Sequence, residues 1–278
     1  KEFIDRYINT IKNYNYEVKL NDILIVISNY LSEDKNKLYV NINSFKLDIL
    51  EQVDIKRLLD DYYINYIPLE YITNKKEFFK EKFYINNTVL IPRSDSELLV
   101  EVAIKYITEN KLKSCLDMCS GSGAIGISIA NNCNISNVDL VDIIDPFVLK
   151  MNKNNLDRYY KCNILTSDLF TNLTNKYDII VSNPPYIQTN VIDTLTEYVK
   201  AEPLIALDGK EDGIYFYDQI LSKANMYLND DAYVIFEIGY DLNDKVIELI
   251  NKYNFEYIET LKDINNLDRV IVCHFVKK

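Results

Sequence analysis

Leu116-Asp117-Met118-Cys119-Ser120-Gly121-Ser122-Gly123-Ala124 is the stretch on which the reading of this chain turns. A short apolar run meets a turn of small residues and passes into the start of an apolar helix. Glycine lets a backbone come close to a ligand, and a helix N-terminus presents N–H groups that lack intrahelical partners. The chain has only six glycines, and three of them, Gly121, Gly123 and Gly126, fall here. Taken alone, such a turn fits a dinucleotide loop gripping pyrophosphate, or simply close packing of a helix on a strand.

The same rhythm continues on both sides. Ser96 to Asn110 has helical spacing of apolar residues, Ser114 to Met118 is a strand, and Ala124 to Asn131 a helix. Val138 to Asp142 is the next strand, residues 147–156 a helix, and Asp178 to Ser182 and Ala232 to Glu237 are further strands. Alternating strands and helices imply an α/β fold, a mostly parallel sheet covered on both faces. Ligands of such sheets bind beyond the carboxyl ends of the strands. Asp142 ends the strand about 20 residues after the glycine turn, the separation at which a carboxylate accepts from ribose hydroxyls. Asp168 precedes the next strand region, where it could accept from an adenine amino group while Leu169 packs on the ring. Together the turn and the two acids describe a nucleoside pocket.

Asn183-Pro184-Pro185-Tyr186 follows a buried strand at that same edge. Consecutive prolines fix φ and remove two N–H donors, leaving carbonyls as acceptors. An amide or aromatic amine nitrogen is planar and its lone pair is delocalised, so it is a poor nucleophile. The Asn183 side-chain carbonyl and the Pro184 backbone carbonyl could accept its two N–H bonds, and Tyr186 could stack on the flat group. Catalysis would then be positioning plus electrostatic complementarity. These residues do not separate nucleobase amines from glutamine amides.

Residues 1–75 contain no glycine and read as a small helical domain. Phe3, Ile4, Tyr7, Ile8 and Ile11 form one apolar stripe, and Phe45, Ile49, Leu50 and Val53, continued by Leu58 and Leu59, form another. Both are expected to pack in a core. Asp22 is the expected N-cap of Ile23 to Leu31, and Ser32 or Asp34 the start of a further element. In residues 76–93, two aromatic or β-branched runs flank Asn86-Asn87, which predicts a hairpin turning there. Residues 94–278 make the larger domain.

Composition narrows the partners. With 42 acidic and 31 basic residues the net charge is −11, against the basic field that phosphate binding favours. A protein or small molecule is the expected substrate, with no direct contact to nucleic acid. Five scattered cysteines without a CxxC pair read as reduced thiols, and one histidine, His274, as a strand residue, so no metal site is expected. No stretch reaches the 18 or so uncharged apolar residues of a membrane span. No signal peptide is recognised and the absence of Met at position 1 suggests trimming, so a cytoplasmic location is expected. Nothing resembles an exposed association helix, so a monomer is expected.

The motifs also carry a resemblance. Pro68-Leu69-Glu70-Tyr71-Ile72-Thr73 with Phe78, Leu90-Ile91-Pro92-Arg93-Ser94-Asp95-Ser96-Glu97, the glycine turn and the tetrapeptide fall in order. Glu202-Pro203, Ala206-Leu207-Asp208-Gly209, Asp212-Gly213, Glu237-Ile238-Gly239-Tyr240 and Lys262-Asp263 with Asp268-Arg269 follow them. From about residue 57 onward this resembles the PrmC/HemK family, the peptide-chain release factor glutamine methyltransferases. DNA adenine methyltransferases share the tetrapeptide but not this set. The resemblance implies a Rossmann-like class I methyltransferase sheet with a small all-helical N-terminal domain that helps grip a release factor. It implies transfer of a methyl group from S-adenosyl-L-methionine to N5 of the glutamine in the Gly-Gly-Gln motif of class-I release factors, leaving S-adenosyl-L-homocysteine. Cys119, Ser120, Gly121, Ser122 and Gly123 would line the methionine part of the cofactor. Asp142 would hold the ribose, Asp168 and Leu169 the adenine side. Asn183, Pro184, Pro185 and Tyr186 would hold the substrate glutamine, Asn183 also bordering the cofactor. Cys119 stands where the family usually has glycine, which calls for a backbone conformation open to a side chain, and Asn74 stands where glycine is common, which positive φ would allow.

Overall fold

The computed structural model describes residues 1–12 and 17–277, and the chain divides into two compact units. The first comprises residues 1–75 and 196–201, the second residues 76–195 and 202–278.

The first unit holds α1 (Glu2–Lys12), α2 (Leu20–Leu31), α3 (Lys35–Val40), α4 (Ile49–Tyr63) and α5 (Leu69–Thr73). Ile4, Tyr7 and Ile11 of the first stripe are buried, against Ile23, Val26 and Ile27 of α2 and Ile55 and Leu59 of α4. The second stripe meets expectation in part. Leu59 is buried in this core and Phe45 and Leu58 pack against it, whereas Ile49, Leu50 and Val53 are 79, 75 and 61% exposed, and α4 also buries Ile55 and Tyr63. Asp48 and Glu51 form a reciprocal capping box that satisfies N–H groups at the start of α4. Asp22 is not a cap. Helix α2 begins a turn earlier, after Lys19, and the Asp22 carboxylate accepts from the Tyr62 hydroxyl instead. Asp34 does cap α3, accepting from the Lys37 N–H at 2.9 Å. Asn74 has φ 53°, ending α5 in the left-handed conformation.

The second unit opens with the hairpin β1 (Lys75–Phe78) and β2 (Glu81–Tyr84). Its turn is Phe79-Lys80, with φ of 47° and 67°, not Asn86-Asn87. Tertiary packing overrides the turn chemistry: Phe78 and Phe83 are buried edge-to-face, and the Glu97 carboxylate accepts the Phe79 N–H at 3.0 Å. Asn86 makes a local side-chain turn, accepting from Thr88 N–H at 3.0 Å.

There follow α6 (Glu97–Asn110), β3 (Ser114–Met118), α7 (Ala124–Asn132), β4 (Asn137–Asp142), α8 (Phe147–Leu156), β5 (Cys162–Thr166) and β6 (Tyr177–Ser182). Short helices α9 (Thr189–Ile192), α10 (Glu197–Lys200) and α11 (Leu204–Leu207) lead to α12 (Tyr215–Tyr227), β7 (Leu228–Glu237), α13 (Asn243–Lys252), β8 (Glu256–Lys262) and β9 (Asp268–Phe275). Helix α10 belongs to the first unit, where Tyr198 donates to the Tyr62 carbonyl at 3.1 Å.

Strands of the second unit form one seven-stranded sheet in the order β5-β4-β3-β6-β7-β9-β8. The first five are mutually parallel and β9 runs antiparallel to both neighbours. Strands buried on both faces read as continuous apolar runs, as in Ile179-Ile180-Val181 and Val270-Ile271-Val272, all fully buried. Order reverses at β3: the chain moves from β3 to β4 and β5 on one side, then to β6 and β7 on the other. Such a switch point opens a crevice at the carboxyl ends of its strands. No helix among the described residues is long and apolar enough to cross a membrane.

Candidate functional site

A cavity of about 380 Å³ lies at that crevice. Cys119, Gly121, Asp142, Asp168, Leu169, Asn183 and Pro185 are on its wall. Ser120, Ser122, Gly123, Pro184 and Tyr186 are not, and the structure shows what they do instead.

Register places the parts. Asp117 pairs with Val181 and Met118 with Ser182, so the glycine turn and the tetrapeptide leave adjacent strands at the same level. The Ser182 hydroxyl donates to the Met118 carbonyl at 2.6 Å, locking the two ends together. Ser120 fastens the turn to β4: its hydroxyl donates to the Asp117 carbonyl at 2.6 Å and accepts the Val141 N–H at 2.9 Å. Ser122 is buried and offers its carbonyl to Asn152 of α8 at 2.8 Å. Gly123 has φ 80°, and a Cβ there would stand 2.6 Å from Leu149, so it is needed both for the turn and for packing of α8. These residues hold the turn's shape, and Cys119 and Gly121 face the ligand space.

Cys119 has φ 63°. The turn keeps the left-handed backbone that glycine would adopt, a conformation open to a side chain at a strain of roughly 1 kcal/mol. Leu169 is left-handed too, at φ 45°. Burial, followed by the Asp142 charge, holds the Cys119 sulfur as a neutral thiol, so it acts as a small apolar wall element.

Asp142 accepts the Gly121 N–H at 2.7 Å and its neighbours' N–H groups, from Ile143 and Ile144, at 2.8 and 3.2 Å. Burial raises its pKa while these donors pull it back. Each carboxylate oxygen has more than one acceptor direction, so Asp142 can order the turn and still accept hydroxyls from a ligand. Asp168 is exposed on the cavity rim, and its carbonyl accepts from Thr171 at 3.1 Å, which closes the loop after β5.

Asn183 continues β6 into the cavity wall and donates Nδ2–H to the Ser96 hydroxyl at 3.3 Å. Pro184 is buried and Pro185 forms the adjoining wall. The Tyr186 hydroxyl points to Glu237, 3.5 Å away. The residues around Gly209 wrap the tetrapeptide: Gly209 N–H donates to Ile187 at 2.8 Å, and Ile187 N–H to Leu207 at 3.0 Å.

Three buried polar groups lie beneath this site, with no role legible in the sequence. Asp117 is fully buried. Its Oδ2 accepts the Gly126 N–H at 2.9 Å, and Oδ1 has no partner among the described residues. Burial lifts its pKa to about 7. Glu237, at the end of β7, is 1% exposed and is also lifted to about 7, mainly by burial. Arg269 beside it is held by Asp263 at 3.0 Å and by the Ile238 carbonyl at 3.3 Å. A buried acid at a strand's carboxyl end is the signal that would have found the first two; Arg269 is visible only through its partners.

Comparison with known proteins adds the family. Residues 94–203 match the methyltransferase small domain model. The chain is 36% identical over 283 residues to the release factor glutamine methyltransferase of Clostridium acetobutylicum, covering 98% of this chain and 97% of the relative. The chain belongs to this family. Another release factor glutamine methyltransferase, from Clostridium botulinum, is 41% identical over 215 residues, covering 74% of this chain and 75% of the relative. A crystal structure of a putative methyltransferase complexed with SAH, 14% identical with a TM-score of 0.51, covers 70% of this chain and 54% of that one, and it shares the fold. As a release factor glutamine methyltransferase family member, the chain keeps the tetrapeptide intact, with Asn183 and Pro185 on the cavity wall, while carrying Cys119 in its glycine turn.

Proposed function

We propose that this chain transfers a methyl group from S-adenosylmethionine to the side-chain nitrogen, N5, of the glutamine in the Gly-Gly-Gln motif of class-I peptide-chain release factors. The observation that carries this reading is the Asn183 amide on the cavity wall with its Nδ2 engaged by Ser96, which leaves Oδ1 as an acceptor for an incoming N–H.

The cavity suits the cofactor. Its size is that of a small-molecule site, and it offers carboxylates at Asp142 and Asp168, apolar surface at Ile143 and Leu169, and close backbone at Gly121. A sulfonium cation is favoured beside such carboxylates. Bound there, S-adenosylmethionine supplies a methyl group on a positively charged sulfur. Asp142 would hold the ribose and Asp168 the adenine edge. Asn183 Oδ1 accepts one N–H of the substrate amide, which orients the nitrogen and favours electron density on it. Pro185 bounds the space in which the flat group lies. Ordering the reactants removes much of the entropic barrier.

The acidic balance of the chain favours a protein acceptor over nucleic acid. Residues 1–75 serve as the docking domain for it, residues 76–93 as the connection, and residues 94–278 as the methyl-transferring domain, acting as a monomer in the cytoplasm. Incubation with labelled S-adenosylmethionine and either a release factor, a ribosomal protein or duplex DNA tests the substrate class. Label should enter the release factor alone. Entry into DNA, with none in the release factor, would overturn it. Asn183→Ala should lose turnover far more than cofactor affinity.

A further inference from the structure

Asn183 has two chemically opposite ends. Oδ1 only accepts and Nδ2 only donates, and rotation by half a turn exchanges them with little change in shape. A glutamine amide nitrogen brought to the cavity needs the acceptor. Facing Nδ2, it would meet donor with donor.

Ser96 and Glu237 lie where this choice is made. Ser96 is 3% exposed and precedes α6, yet its side chain makes no capping hydrogen bond to that helix. Its oxygen instead accepts Asn183 Nδ2–H at 3.3 Å. The hydroxyl proton must then point elsewhere, and the Glu237 carboxyl faces it: the Ser96 hydroxyl is the foremost group pulling the Glu237 pKa back towards the charged form. Glu237 Oε1 accepts from Tyr186 at 3.5 Å, and Oε2, fully buried, has no hydrogen-bond partner among the described residues, so it is an acceptor left open to that proton. Tyr186 is therefore tied directly to the carboxyl, and Ser96, the partner of Asn183, faces it. Arg269 supplies the countercharge and Asp95 opposes it.

We propose that Ser96 and Glu237 are positioning residues that fix which end of the Asn183 amide faces the acceptor glutamine. This rests on the function proposed above. Glu237 accepts the Ser96 proton, Ser96 thereby offers its lone pair to Nδ2, and Oδ1 is left towards the substrate. No bond is made or broken in the relay.

The test uses the full-length protein and three readouts: turnover, S-adenosylmethionine Kd, and the side-chain ¹H–¹⁵N pair of Asn183, assigned by its loss in Asn183→Ala. Ser96→Ala should shift that pair and lower kcat on the order of tenfold, with the Kd changed by less than about twofold. Ser96→Thr, which keeps the hydroxyl, should restore both the resonance and the turnover. Glu237→Gln should shift the same pair, since its amide can donate to Ser96 and reverse the relay. An unshifted pair and wild-type turnover in Ser96→Ala would overturn the proposal, as would equal losses in kcat and affinity. The resonance does not depend on the acceptor: shifted pairs in Ser96→Ala and Glu237→Gln, with a wild-type protein that methylates no release factor, would uphold the relay and refute the substrate reading.

Discussion

Gly209→Ala should cripple turnover without touching the cavity's ligand-binding groups. A Cβ at Gly209 would stand 2.5 Å from Tyr186 Cα, 2.6 Å from Tyr186 C and 3.0 Å from the Pro185 carbonyl. All three are backbone atoms, so no rotamer change relieves the clash. Gly209 does not have a left-handed φ, so the effect is steric alone. Ordinary contact would be restored only if the tetrapeptide or the Gly209 segment moved by about 1 Å, and interiors packed to crystal-like density resist that. Overpacking of this kind costs about 1–3 kcal/mol, which for the second unit corresponds to a fall in Tm of roughly 2–12 °C. A misplacement of about 1 Å in the reacting geometry costs on the order of 100-fold in rate. Titration calorimetry should find S-adenosylmethionine affinity within about threefold of wild type, because Asp142 and the glycine turn are untouched, while labelled-methyl transfer falls about 100-fold. A folded Gly209→Ala protein with near-wild-type turnover would refute the idea that the 207–209 segment sets the position of the tetrapeptide.

Three more expectations follow from the geometry. Asp142→Asn should weaken S-adenosylmethionine binding by about 10- to 100-fold, the loss expected when a charged acceptor of hydrogen bonds is replaced, read by calorimetry; unchanged affinity would separate Asp142 from the ribose. Asp117 has its carboxyl lifted from 3.8 to about 7 in the folded state, so the fold binds more protons than the unfolded chain between those limits and stability is lost as pH rises through about 7. Thermal scans should therefore show Asp117→Asn losing less Tm than wild type between pH 5 and pH 8, whereas equal losses would contradict it. Leu59 is fully buried in the helical unit, and Leu59→Ala should cost about 2–5 kcal/mol in denaturant unfolding of that unit, with cofactor affinity unchanged.

What could be read from the sequence was whatever is settled locally. The strands of the parallel sheet are continuous apolar runs, the glycine turn is a cluster in a glycine-poor chain, and Asp142 and Asn183 each end a strand; their convergence follows from the register of β3 with β4 and β6. What could not be read depends on distant partners. Phe79-Lys80 carries no turn chemistry and turns because Phe78, Phe83 and Glu97 hold it. Ile49, Leu50 and Val53 have core composition, yet α4 packs through Ile55, Leu59 and Tyr63 and leaves them exposed. Tyr186 lies beside a cofactor edge in sequence, but its hydroxyl goes to Glu237, 51 positions away. Ser96 is 87 positions from the asparagine it holds. Cys119 could be placed in the turn, whereas its left-handed backbone emerges only from the strands on either side.

The central claim is that Asn183 presents an acceptor to a glutamine amide beside the methyl donor. Its most direct test is mass-spectrometric mapping of the methyl group on a class-I release factor after one incubation with S-adenosylmethionine, in parallel with Asn183→Ala. The account predicts a single added methyl on the glutamine of Gly-Gly-Gln, removed in the variant while the cofactor still binds. A methyl on any other residue, or an undiminished yield from Asn183→Ala, would contradict it.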